Sequence, residues 1–390
     1  MAKKTRTPLA FQNLTHNMRR LLVAVAGVAF AVILIFMELG FLNALLESTV
    51  QVLRRLEGEI VVISKAQYAL IAAERFDIHR IYDAREVPGV ASAAPIYIES
   101  AALLRTGDSR GYPIRVIAVR EDDEALSITQ LHDLRDALHT EGAALADETS
   151  RHKFEIPPPG QPLENYRGEL NGKEIRLVGH FHLGVDFATD GNLLMTAANF
   201  ARYFPYRGGA GDPLRVVDLA ILRLDQDANI DAVLNELRRT LPPDVEVLSK
   251  EHLIEREKKF WKENAPLGYI FMVGTVMGFV VGVVICYQIV YADISDHMRE
   301  FATLKAIGYG TYYFFGLVLE QCLYLSLLGF IPGLIVSFIS YRFLAMYTGL
   351  TMELGPSLAG WVFLATTAMC TISGLLAVSK LLATDPAELF

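Results

Sequence analysis

A chain of 390 residues, 52% of them hydrophobic and with a formal net charge of −8, is long enough for a small helical bundle and one folded domain of ordinary size. The charge is uneven, because residues 46–264 hold 27 Lys/Arg and 36 Asp/Glu (27 − 36 = −9) while the rest holds 9 and 8. An acidic middle excludes nucleic acid as a partner, since that demands a basic footprint. The three cysteines, Cys286, Cys322 and Cys370, all fall in apolar runs, so no disulfide can hold the polar middle together.

In chain order, residues 1–20 place Leu9, Phe11, Leu14 and Met18 among polar residues before Arg19-Arg20, a pattern that predicts a short amphipathic helix on a membrane surface. Four uncharged runs follow, at Leu21–Met37, Asn264–Ala292, Gln321–Tyr341 and Leu354–Ser379. Each, with its apolar flanks, supplies the roughly 20 residues needed to cross a hydrocarbon core of about 30 Å, so four membrane spans are expected. A cleaved signal peptide is the rival reading of the first run. That run is too long for an h-region and no A-x-A-like site follows it. Apolar residues continue past Glu38 through Phe41, Leu42, Leu45, Leu46, Val50 and Leu53, which predicts a helix leaving the bilayer as a stalk. Glu38 then reads as an interfacial or stalk carboxylate, or as a buried functional one.

Between the first two spans, Glu59–Ser64, Ile114–Val119, Ile175–Val178 and Val217–Leu224 are rich in Val and Ile and predict strands. Ile230–Leu241 predicts an amphipathic helix closed by Pro242-Pro243, whereas Pro157–Pro159 and Arg207–Pro213 read as loops. The domain is expected to be α+β. Residues 250–264 (KEHLIEREKKFWKEN) predict a second charged stalk leading straight into the second span. Gly274, Gly278 and Gly282 form G-x-x-x-G-x-x-x-G, and Gly329 and Gly333 repeat the spacing beside Pro332; both are candidate close-packing faces, within a protomer or between protomers.

Sidedness follows from basic residues in short flanks. Lys3, Lys4, Arg6, Arg19, Arg20, Arg299, Lys305 and Lys380 lie on one side and only Arg342 on the other, so both termini are expected in the cytoplasm and residues 47–264 outside it. The expected map is residues 1–20 amphipathic helix, 21–46 first span and stalk, 47–249 α+β domain, and 250–292 stalk and second span. It continues with a cytoplasmic helix at 293–310, the third span at 311–341, a loop at 342–353, the fourth span at 354–379 and a tail at 380–390.

Catalytic motifs are missing. Nothing matches G-x-x-x-x-G-K-[ST], G-x-S-x-G or H-E-x-x-H. His180 and His182, with Asp186 and Asp190 nearby, lack a clear third ligand, and Glu121–Glu124 lacks the alternating ligands and turn glycine of a calcium loop. No cofactor or metal bound by this chain is expected, and no enzymatic activity.

The informative short segment is residues 293–310, DISDHMREFATLKAIGYG. Met298, Phe301, Leu304 and Ile307 recur every third residue, with Arg299, Glu300 and Lys305 beside them and Gly308 and Gly310 after. Such a helix either rests on lipid or inserts its apolar ridge into a groove of a soluble partner, and its mixed charge favours the partner. The run M-R-E-F-A-T-L-K-A-I-G resembles the coupling-helix signature of FtsX/MacB-type ABC transporter permeases. Tyr287–Gly308, Leu193–Phe204 and Asp385–Phe390 resemble the DevC branch, which residues 68–82 follow only loosely.

The resemblance implies a homodimeric permease subunit working with a separate DevA/MacB-like ATPase that carries ATP and Mg. It also implies a DevB-like membrane fusion protein as periplasmic adaptor and a TolC-like outer-membrane channel. Met298, Arg299, Phe301, Leu304 and Lys305 would contact the ATPase. Glu320, early in the third span, would be a coupling carboxylate or would pair with Lys305 or Arg299. The implied activity is mechanotransmission driving export of a glycolipid or another amphipathic cargo. The alternatives within the family are lipoprotein release, or FtsX-like signalling to a periplasmic hydrolase without transport.

Overall fold

The computed structural model describes residues 18–107, 110–209, 211–296, 298, 307, 311–348, 350 and 352–382. A long helix, α1 (Met18–Thr49), is followed by the single turn α2 (Gln51–Arg54). Then come β1 (Ile60–Ser64), β2 (Phe76–Asp77), α3 (His79–Arg85), β3 (Val90–Thr106) and β4 (Tyr112–Val119). The short helices α4 (Thr129–Asp133) and α5 (Arg135–Leu138) lead to β5 (Ala143–Asp147), β6 (Gly168–Leu170), β7 (Lys173–Phe181) and β8 (Asn192–Thr196). Helix α6 (Ala197–Tyr203), β9 (Val216–Val217), β10 (Leu219–Leu224), α7 (Ile230–Thr240), β11 (Val245–Ser249) and α8 (Lys250–Glu263) complete this region. Three long helices end the chain, α9 (Pro266–Asp296), α10 (Thr311–Thr348) and α11 (Pro356–Leu382).

The chain divides into two compact units. One holds the described residues up to Ala44, Pro266–Tyr347 and those from Met352 on; the other holds Leu45–Ala265 together with Thr348 and Leu350. The first unit contains four helices long and apolar enough to cross a membrane, on α1, α9, α10 and α11. Its core gathers Val28, Val32, Phe36, Cys286, Cys322, Met369 and Cys370.

The second unit is a mixed sheet in the order β11-β1-β10-β3-β4-β8-β5-β7-β6, with β6 also paired to β3. The 17-residue β3 makes this possible. Its first half pairs with β10, its middle with β4, and Leu104–Thr106 with β6 after a register shift between Glu99 and Ala102. Six strands thus close a ring through β3, β4, β8, β5, β7 and β6, in which β4–β8 and β5–β7 are the parallel pairs. Strand β1 alternates between two cores, Ile60 and Val62 on one face and Val61 and Ile63 on the other, so it is buried throughout.

Helix α7 starts where the Asn229 side chain accepts from Ala232 N at 3.1 Å, and buries Val233, Leu234 and Leu237. Helix α8 starts where Ser249 Oγ accepts from His252 N at 3.2 Å. The charged run does not lead straight into the next apolar helix, as its composition suggested. Helix α8 ends at Glu263 and α9 begins at Pro266. Proline has no N–H for the preceding turn and disfavours helical backbone in the residue before it, so the break falls at Asn264-Ala265.

Candidate functional site

The apolar unit is held by close contacts at the glycines that the sequence singled out. On α9, a Cβ at Gly274 would collide with the Glu38 carboxylate, one at Gly278 would come 3.4 Å from Ile35, and one at Gly282 would meet Ala31 at 2.9 Å and collide with Met369. As the α9 number rises the α1 number falls, so these two helices run antiparallel. On α10, Gly329 accommodates Val28 and Gly333 accommodates Val32, whose Cγ1 would lie 2.6 Å from an added Cβ. Here both numbers rise together, and α10 runs parallel to α1.

Helices α9 and α11 also run parallel. Ser373 Oγ donates to the Val283 carbonyl at 2.8 Å, the Cys286 and Cys370 sulfurs lie 3.7 Å apart, and Lys380 Nζ sits 5.7 Å from the centre of the Tyr291 ring. Two parallel pairs, antiparallel to each other, bring the starts of α1 and α10 to the same end of the bundle as the finishes of α9 and α11. That end is marked by an ion pair between Arg20, at the start of α1, and Asp296, the last residue of α9. It is also where residues 297–310 connect α9 to α10.

Of the residues expected to face an ATPase, Met298 is helical and half-buried; Arg299, Phe301, Leu304 and Lys305 lie outside the described residues. Ile307 is 70% exposed. Glu320 is half-buried on α10, with Tyr324 Oη 3.4 Å away one turn later, a neighbour the sequence reading did not consider. The pairing of Arg20 with Asp296 was also missed, because each reads alone as an ordinary flanking charge.

The histidine cluster does not assemble. His180 Nε2 is 2.7 Å from the Pro157 carbonyl, His182 Nδ1 is 2.6 Å from Glu148, and Asp186 binds Arg115 at 2.5 Å. Among the described residues no group of three or more His, Cys, Asp or Glu is arranged to hold a metal.

Residues 272–386, which span α9, the connection, α10 and α11, match the family model described as FtsX-like permease C-terminal. Over this stretch the chain is similar to the FtsX-like permeases. The matched stretch holds most of three of the four helices that are long and apolar enough to cross a membrane. No curated protein matches the chain. Among solved structures it is similar to the periplasmic region of MacB from Actinobacillus actinomycetemcomitans, at 10% identity over 52% of this chain and 92% of that one, with a TM-score of 0.35. It is also similar to the extracellular domain of the noncanonic ABC-type transporter YknZ from Gram-positive bacteria, at 11% identity over 49% and 100%, with a TM-score of 0.33. A domain of a permease protein from Porphyromonas gingivalis aligns at 14% identity over 49% and 86%, with a TM-score of 0.29.

Proposed function

We propose that this chain is the membrane subunit of an ATP-driven export system of the MacB/DevC kind, coupling a separate ATPase to its own sheet-rich unit. The observation that carries the reading is the bundle end where Arg20 meets Asp296 and the 297–310 connection leaves α9. That end also carries the chain's basic flanks, so under the positive-inside rule it faces the cytoplasm, where an ATPase can reach it. Both termini then lie in the cytoplasm, and residues 47–264 lie outside the inner membrane.

In this reading Met298, Arg299, Phe301, Leu304 and Lys305 form the ridge that enters a groove on the ATPase. ATP and Mg belong to that partner, whose closure draws together the ridges of a permease homodimer. The movement reaches residues 47–264, which engage a membrane-fusion-type adaptor and through it a TolC-like channel. The cargo class is a glycolipid or another amphipathic molecule. The test is co-purification of the full chain with its ATPase. Phe301→Asp and Leu304→Asp should abolish association while leaving expression in the membrane intact, and association unchanged in both variants overturns the proposal. Crosslinking of residues 47–264 to a hydrolase in place of an adaptor would show a signalling device instead of an exporter.

A further inference from the structure

The segment between β1 and β2, residues 65–75, is pinned to the second half of α8 by contacts at Gln67, Tyr68 and Leu70. Glu257, 1% exposed, accepts from the Leu70 backbone N–H at 3.0 Å and from Trp261 Nε1 at 2.9 Å. Arg256 donates to the Gln67 carbonyl at 3.2 Å, and the Tyr68 ring lies 5.6 Å from that of Phe260. Gln67 and Ala69 point inward and are buried. Tyr68 and Ile71 point the other way and are 63% and 48% exposed, in a unit whose other large apolar side chains mostly fill its cores.

A single exposed apolar side chain is ordinary, but these two sit three residues apart on one pinned loop. Their neighbours give the reason. Half-buried Phe260 and Trp261 lie on the same helix, with exposed Lys259, Lys262 and Glu263 beside them, and Lys65 and Glu74 are exposed near the two ends of the loop. Aromatic rings flanked by lysines are the composition of a membrane interface, where the rings sit at headgroup depth and the lysine stems carry their charge toward phosphate. Chain continuity bounds the distance. Phe260 lies one turn before the end of α8, and the membrane helix α9 starts at Pro266. Helical rise and two extended residues allow at most about 16 Å between them. Phe260, and the Tyr68 ring beside it, are thus tethered within a short reach of the first residue of α9.

We infer that residues 65–75 form a lipid-contacting loop that inserts Tyr68 and Ile71 into the headgroup region of the bilayer, with Glu257 as the residue that holds it in position. The occupant is the phospholipid surface next to α9. The inference depends on α9 crossing the membrane and not on the export reading, so either can fail without the other.

The experiment places single cysteines at Tyr68→Cys and Ile71→Cys in the full chain, labels them with an environment-sensitive fluorophore and reconstitutes the protein in phosphatidylcholine vesicles. The native cysteines are buried, and unsubstituted chain taken through the same labelling sets the background. With lipid carrying a doxyl group high on its acyl chain, fluorescence at both positions should fall by half or more and the emission should shift to the blue. A label at exposed Gln226→Cys should do neither. Ile71→Cys leaves the Tyr68–Phe260 ring contact intact, so a failure at position 68 alone counts as damage to that contact. Quenching of both labels by aqueous iodide and by no lipid overturns the inference, as does blue-shifted emission that lipid does not quench and that appears only with an added protein partner.

Discussion

Gly40 leaves open the space that the Tyr341 hydroxyl fills, and that hydroxyl donates to the Phe36 carbonyl one turn earlier on α1. Tyr341 is 2% exposed, so its ring has little room to retreat. A methyl group at position 40 would collide with it and break its hydrogen bond. Gly40→Ala should cost about 1–3 kcal/mol, the usual range for overpacking a filled interior. Thermal inactivation of the detergent-solubilised chain is the measurement, and Tyr341→Ala should remove most of the additional effect of Gly40→Ala.

The glycines on α9 and α10 are not equivalent. At Gly278 the nearest atom to an added Cβ is Ile35 Cγ1 at 3.4 Å, an ordinary contact. At Gly329 the obstacle is Val28, whose branched side chain has one strongly preferred rotamer in a helix and cannot swing aside. Gly278→Ala should therefore be close to neutral and Gly329→Ala clearly destabilising, by about 1–3 kcal/mol. Equal melting temperatures for the two variants would contradict the packing described.

Arg207 holds a buried charge network together. Its guanidinium lies over the Phe200 ring at 4.9 Å, donates to the Ile98 carbonyl at 2.8 Å and pairs with Asp218 and Glu99, which Arg75 also contacts at 3.1 Å each. Removing one member of a buried pair leaves the other charged and dry, at about 3–5 kcal/mol. Arg207→Met should make residues 45–265 sensitive to limited proteolysis. Arg75→Met, at a more exposed position, should do so less, and Arg207→Met with Asp218→Asn should recover part of the loss.

Asp77 supplies a pH dependence with a definite sign. The His79 backbone N–H donates to Oδ1 at 3.0 Å, and the His79 ring and Arg215 add to it, holding the carboxyl well below its ordinary value against the opposing effect of burial. A depressed carboxylate contributes stability that is fully present above the ordinary value of 3.8 and is lost as pH falls toward the native one. Asp77→Asn should be destabilising at neutral pH, and the gap to the parent chain should close as pH falls below about 4. Chemical denaturation across that window reads it directly, and a gap independent of pH would refute it.

The spans could be read from the chain because a membrane helix is specified by composition alone, with no help from distant partners. The strands with several Val and Ile were readable for a similar reason, and the structure lengthens them: Ile114–Val119 lies within Tyr112–Val119, and Ile175–Val178 within Lys173–Phe181. Strand β5, with the sequence AALAD, carries no β-branched residue and gave no signal; its identity comes from β7 and β8 on either side. Strand β3 was hidden by Pro95, which argues against a central strand yet sits opposite Ala220. Glu257 was lost in a run of charges. Its spacing from Leu253 and Trp261 was the available clue, since residues four apart share a helix face and Leu253 is buried. Burial now raises the Glu257 carboxyl above its ordinary value, with the Leu70 and Trp261 donors opposing.

A sheet recruits another chain through a strand whose outer backbone groups are unpaired. In the six-member ring of the second unit each strand has a neighbour on both sides, and β10 and β1 are likewise flanked. Among the described residues the outer edge of β11, the two-residue ribbon β2–β9 and the stretch of β7 beyond its pairing with β6 are places where main-chain pairing with a foreign strand can start. Whatever grips the closed part of this sheet must read side chains. Its recognition surface is therefore free to change by substitution without disturbing the backbone that supports it.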